Sequence, residues 1–123
     1  MNKIRVMALG GLDEEGKDLY VIEINGSIFV VGGGFKYPTK TTPGIDFIIA
    51  DFSYLKENKE RIKAYIIPKG KKNTFGALPY IVKEAPAPIY CTRLTKLFLD
   101  GFTKQRQVDY TYDYRILGLP CNI

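Results

Sequence analysis

The apolar positions change their period along the chain. "IRVMALG", Ile4 to Gly10, alternates well enough for a strand and is ended by Gly10-Gly11. "LYVIEI" and "SIFVV" follow, two β-branched and aromatic runs on either side of Asn25-Gly26. Asn-Gly supplies two successive positive φ angles, so the pattern predicts a type I′ hairpin of strands Leu19 to Ile24 and Ser27 to Val31. "GGG", Gly32 to Gly34, stops the second run and opens backbone paths closed to other residues. "PGIDFIIADF" predicts a further short strand, "YLKENKERIK" (Tyr54 to Lys63) a polar helix, and "AYIIP" a buried strand. "ALPYIVKEA" reads as a helix entered at Gly76, "PIY" as a short strand, and "TRLTKLFLDG" as a helix capped by Thr92 and closed by Gly101. Near the C-terminus Val108, Tyr110, Tyr112 and Tyr114 alternate with polar residues, the mark of a strand with one aromatic face. Strands alternate with helices after residue 50, which argues for an α/β layer.

Composition narrows the chemistry. The 123 residues include no histidine, which is the commonest ligand for catalytic zinc and the usual general base near neutral pH. Within this chain a histidine-built zinc site, a Ser-His-Asp triad and a Cys-His pair are therefore excluded. Two cysteines without paired or metal-like spacing point to a reducing cytoplasm and no disulfide framework. The apolar runs fall far short of the ~18 residues of a membrane span, so no membrane insertion is expected. "GGLDEEGK" lacks the spacing of a phosphate-binding loop, carries three acids, and reads as a tight turn. Asp46 and Asp51 read as turn residues, and Cys91 as a small buried residue.

"ALGGLDEEGKDLYVIEINGSIFVVGGGFKYP", "GIDFIIADFSYLKENKERIKAYII", "GALPYIV" and "PIYCTRLTKLFL" together resemble the opening of the ribonuclease J family, from about residue 4 to residue 100. The resemblance implies a metallo-β-lactamase fold of the β-CASP branch. In that family the segment before "GALPY" is similar to Thr-His-Gly-His-Glu-Asp-His-Ile, whose histidines and aspartate bind two zinc ions. An Asp-Ala-Gly after the hairpin supports the metals. Here Lys69, Lys71 and Thr74 stand at the histidine positions, Asn73 at the aspartate, and Gly32 at the aspartate of Asp-Ala-Gly. A zinc site needs neutral imidazoles and carboxylates. Two ammonium groups there would repel a dication, so the expectation is no catalytic residue, no metal, no cofactor and no nuclease activity.

The same stretch is basic. Residues 56 to 74 hold Lys56, Lys59, Arg61, Lys63, Lys69, Lys71 and Lys72 against Glu57 and Glu60, an excess of +5 that equals the chain's formal net charge. Such a patch could hold an RNA backbone, or it could be an ordinary solvated face.

The resemblance also implies that residues 1–105 form half of an αββα sandwich, one mixed sheet with flanking helices, and that 106–123 form an extension with a strand. With the facing sheet missing, an apolar sheet face would stay open. Its cover would be a second copy, a different protein, or the tail with Val108, Tyr110, Tyr112 and Tyr114. The functional expectation is a catalytically inactive ribonuclease J-like subunit with a structural or regulatory protein-binding role. The alternative is a small RNA-binding module built on the lysine-rich loop.

Overall fold

The computed structural model describes residues 3–12, 16–36, 48–68, 70, 72–105 and 112–117, with 48, 72 and 73 described by backbone alone. Its first strands are β1 (Ile4–Gly10), β2 (Leu19–Ile24) and β3 (Ser27–Gly32), the last two joined at the Asn25-Gly26 turn with φ of 50° and 87°. Two positive φ angles at the paired centre of a hairpin are the type I′ geometry expected from Asn-Gly. The short β4 (Phe35–Lys36) and β5 (Ile48–Ile49) pair with each other outside the main sheet. Helix α1 (Ser53–Glu57) and a 3₁₀ turn at Lys59–Arg61 lead into β6 (Ile62–Ile66). After it come α2 (Lys72–Phe75), α3 (Leu78–Glu84), β7 (Ile89–Cys91), α4 (Arg93–Gln105) and β8 (Tyr114–Ile116).

The main sheet has the order β1-β2-β3-β6-β7-β8. It is mixed: β1, β2 and β3 pair antiparallel, whereas β3, β6, β7 and β8 run parallel. Crossovers between parallel strands need intervening chain, and the helices supply it. Leu19, Val21, Ile28, Val30, Tyr65 and Ile89 are buried on one face. They join one core with Leu55 of α1, Phe75 of α2, Leu78 and Ile81 of α3, and Leu99 and Phe102 of α4. The Tyr65 hydroxyl crosses that layer and donates to the Ala85 carbonyl at 2.6 Å, which ties the sheet to the end of α3.

Three expectations are corrected. The Tyr54-to-Lys63 helix ends at Glu57, because the Asn58 amide and Nδ2 both donate to the Tyr54 carbonyl and Lys63 already lies in β6. Gly101 does not close α4, which runs on to Gln105. Burying Phe102 and Thr103 keeps the helix going, with the Thr103 hydroxyl donating to the Leu99 carbonyl at 2.8 Å. Thr92 does cap its start, where its Oγ1 accepts from the Thr95 amide at 3.3 Å. The C-terminal strand is Tyr114–Ile116, preceded by Tyr112 and Asp113 in irregular backbone; Val108 and Tyr110 lie outside the described residues.

Candidate functional site

The exit of β3 and the α2–α3 junction meet, which brings together two segments of interest. Gly32 has φ of 85°, and a Cβ there would lie 2.8 Å from the Asp18 carbonyl oxygen. Any side chain at this position meets backbone, and the conformation itself disfavours one. Gly33 sits under Leu78, where an added Cβ would come within 2.7 Å of Leu78 Cδ2. Its carbonyl accepts the Ala77 amide at 2.7 Å. The glycine run therefore lets strand and helix backbones latch directly.

Thr74 is buried in α2 beside Phe75. Lys69 and Lys71 lie outside the described residues, and Lys72 and Asn73 are described only as backbone of α2. Gly70 lies under Phe98 of α4; a Cβ at Gly70 would stand 2.7 Å from Phe98 Cδ2. These residues do not fit the two zinc ions that the resemblance implies. Gly32 offers no donor, and Thr74 offers a neutral hydroxyl. Among the described residues no three His, Cys, Asp or Glu side chains converge on one point. Cys91 is buried and its thiol is pushed up to about 11, first by desolvation, then by the Asp100 charge, with Lys96 opposing. A thiol of that kind is a poor metal ligand near neutral pH. Asp51 is held below the usual carboxylate range by hydrogen bonds from the Ser53 hydroxyl and amide, which is the turn role expected of it. Asp46 lies outside the described residues.

The basic residues divide. Lys59 and Lys63 are exposed, and Lys56 lies 3.8 Å from Glu84 in a solvent-facing pair. Arg61 is committed internally. Its Nη2 lies 3.2 Å from Glu23, its Nε donates to the Gly26 carbonyl at 2.9 Å, and its Nη1 donates to Asn58 Oδ1 at 2.8 Å. Glu23 is only 6% exposed at its side chain and also faces Arg5 at 3.6 Å. This clamp between the 3₁₀ turn and the hairpin went unread in the sequence, because no local pattern links residues so far apart.

The tail turns inward where it is described. Tyr112 is buried and shares a 2.8 Å hydrogen bond with the Thr103 hydroxyl. Tyr114 donates to Asp100 at 2.7 Å, and its ring packs on Tyr112 and under the Lys96 ammonium. Burial, then the Asp100 carboxylate, pushes the Tyr114 hydroxyl's pKa far up. Tyr112 thus has almost no surface to offer a partner.

The other face of the sheet is open. Register places Ile4 and Val6 of β1 opposite Ile24 and Ile22, and Ile22 opposite Phe29. Val6 is 72% exposed and Ile4 66%, while Ile22, Phe29, Ile66 and Tyr90 are only partly covered. A second apolar surface lies on α4, where Leu94, Leu97 and Phe98 are exposed. Its i, i+3, i+4 spacing is visible in the sequence, but the same residues also suit a capped helix packed on a core, so spacing alone does not mark them as exposed.

No protein-family model matches the chain. Ribonuclease J 2 of Streptococcus pyogenes is 39% identical over 103 residues, and ribonuclease J2 of Bacillus subtilis 42% over 102. These alignments take in 80% and 83% of this chain.

The chain is a ribonuclease J relative.

It spans only 19% and 18% of the length of those two proteins, so it corresponds to a fragment of them. Solved structures agree on the fold. Human tRNase Z, short form, superposes with a TM-score of 0.53 at 17% identity, over 95% of this chain and 46% of that one. A flavo di-iron protein mutant from Thermotoga maritima also gives 0.53, at 15% identity, over 96% of this chain and 33% of that one. The fold is metallo-β-lactamase-like, and the ribonuclease J-like chain carries one mixed sheet of it with flanking helices.

Proposed function

We propose that this ribonuclease J-like chain is a cytoplasmic structural or regulatory component that binds another protein and does not cleave RNA itself. The observation that carries this reading is the one-sided sheet. Its helix-covered face is a closed core, whereas the opposite face presents Ile4, Val6, Ile24 and the half-covered Ile22, Phe29 and Tyr90. Fully burying one Val, Ile or Phe is worth about 1.5–3 kcal/mol, against a net stability of about 5–15 kcal/mol for a whole domain. Covering that face is therefore a strong drive to associate. Loss of catalysis is supported by the sequence without histidine and by Gly32, whose backbone leaves no room for a ligand side chain.

The test is elemental analysis and a nuclease assay on the protein purified with its associated chains. The reading expects no stoichiometric zinc bound by this chain and no cleavage dependent on it. One or two tightly held zinc ions assigned to this chain would defeat it. Exposed Lys59 and Lys63 give a second reading, RNA binding, its support. A steep fall of RNA affinity with salt, lost on replacing those lysines, would favour that reading.

A further inference from the structure

We propose that the outer side of α4 is a docking groove for an acidic amphipathic helix of a partner protein. This goes beyond the function proposed above, which rests on the sheet face; the groove lies on the helical side of the molecule. Leu94, Leu97 and Phe98 are 61%, 64% and 51% exposed. At about 100° per residue they share one side of the helix with Gly101. Their spacing of i, i+3, i+4 and i+7 is the pattern by which one helix receives another. Leu99 holds α4 to the core from the far side, and Phe102 does so from the edge of the stripe next to Phe98. Leu94 and Leu97 are thus surplus to folding, while Phe98 packs partly on Gly70.

The groove has a place for an anchor. A cleft of about 370 Å³ is lined by Gly70, Phe75, Phe98, Gly101, Phe102 and Gln105. A Cβ added at Gly101 would meet nothing within 4 Å, so the floor there is open. Phe98 lies directly on Gly70, which gives the cleft an aromatic wall. A large apolar side chain from an incoming helix would fit between that wall and the Gly101 backbone.

Charge selects the partner. Arg93 and Lys104 are exposed and lie roughly a quarter turn from the midline of the stripe, both on the same flank. Asp100 lies on that flank too, about 20° round the helix from Arg93. Its carboxylate is engaged by the Tyr114 hydroxyl at 2.7 Å, and the flank keeps a net positive charge. A helix with carboxylates beside its apolar face would complement that flank. An antiparallel second copy would not, because it sets like flanks together and brings the two copies' Arg93 and Lys104 into repulsion. Phe98 is the one ring on the stripe, and the aliphatic Leu94 and Leu97 beside it give successive bases no stacking platform, which disfavours single-stranded RNA.

The chain contains no tryptophan, so a tryptophan in a peptide reports binding without background. The probe is a short helical peptide with Leu and Trp at i, i+3, i+4 and i+7 and glutamates on its flanks. Controls are the same peptide with lysines for glutamates and a fluorescein-labelled oligouridylate. The acidic peptide is expected to bind saturably and at least ~10-fold tighter than the lysine peptide. The double substitution Leu94→Ser and Leu97→Ser should weaken it by ~10-fold or more while circular dichroism stays unchanged. Arg93→Glu with Lys104→Glu should reverse the preference between the peptides. Equal binding of both peptides, binding of neither, or binding indifferent to the serine pair would overturn the proposal. So would an oligouridylate that competes for the groove, or a dimer that the serine pair dissolves. The sheet-face reading is probed separately through Val6, so failure here and failure there are distinguishable.

Discussion

Arg61 lies 3.2 Å from Glu23, a carboxylate almost fully withdrawn from solvent, and so fastens the turn before β6 to the strand that starts the hairpin. Truncating Arg61 to alanine leaves a buried charge served, among the described residues, by Arg5 alone, at 3.6 Å. Stability should fall by about 1–3 kcal/mol, read from urea unfolding. Adding Glu23→Gln to Arg61→Ala should recover part of the loss, since the orphaned charge is gone. If Arg61→Ala costs nothing, the pair is a surface contact and Arg61 is free to serve elsewhere.

Gly26 has φ of 87° and open space around it, so a substitution there is opposed by backbone conformation alone. Gly26→Val is expected to lower stability by about 1–2 kcal/mol. Gly33→Ala tests a different cause. Its Cβ would press on Leu78, and overpacking of that kind costs about 1–3 kcal/mol. Thermal melts of both variants indistinguishable from wild type would contradict the turn and the latch described above.

Cys91 supplies a pH dependence. In the fold its thiol holds its proton to about 11, against an ordinary value of 9.0. Because the folded-state value is raised, its contribution is fully present below pH 9.0 and is lost as pH rises towards 11. The slope reaches at most about 1.4 kcal/mol per pH unit. Cys91→Ala should flatten the stability curve across that window, and the native thiol should react slowly with disulfide reagents at neutral pH. Rapid labelling of Cys91 in the native protein would show that it is exposed.

The sequence was most informative where one local interaction decides the structure. Asn25-Gly26 announces its turn because only residues tolerant of positive φ fit there, and the hairpin strands follow from the alternation beside it. The one-sided mixed sheet was also legible, from the resemblance and from the order of strands and helices. What escaped was decided by distant partners. Gly101 resembles a helix stop, but burial of Phe102 and Thr103 overrides it. The 54–63 segment is polar and helix-prone throughout, yet its backbone turns at Asn58 and Arg61 is drawn to the hairpin tip. Tyr112 and Tyr114 read as a strand face, and their partners Thr103 and Asp100 lie on a helix that no periodicity connects to them. For the candidate site, Gly32 and Thr74 stand out in the sequence only through the resemblance, as former metal-ligand positions, and the collision of any Gly32 side chain with the Asp18 carbonyl needs coordinates to see.

That collision bears on attempts to rebuild a metal site. Aspartate at position 32 must shift the Asp18 backbone or abandon φ of 85°. Gly32→Asp should therefore destabilise the chain by about 1–3 kcal/mol and confer no measurable zinc affinity alone. A stable Gly32→Asp variant that binds zinc in equilibrium dialysis would show that the site is only lightly damaged.

The most direct measurement is sedimentation velocity of the full protein over a wide concentration range, alone and with extract from its own cells, for wild type and Val6→Asp. Val6 is mostly exposed on the open sheet face, so the substitution spares the core while placing a charge where a covering layer would sit. The account predicts that the wild-type protein sediments in a defined assembly, with an interface of about 800 Å² per partner or more, and that Val6→Asp dissolves it. A well-folded wild-type monomer under every condition, unaffected by Val6→Asp, would contradict it.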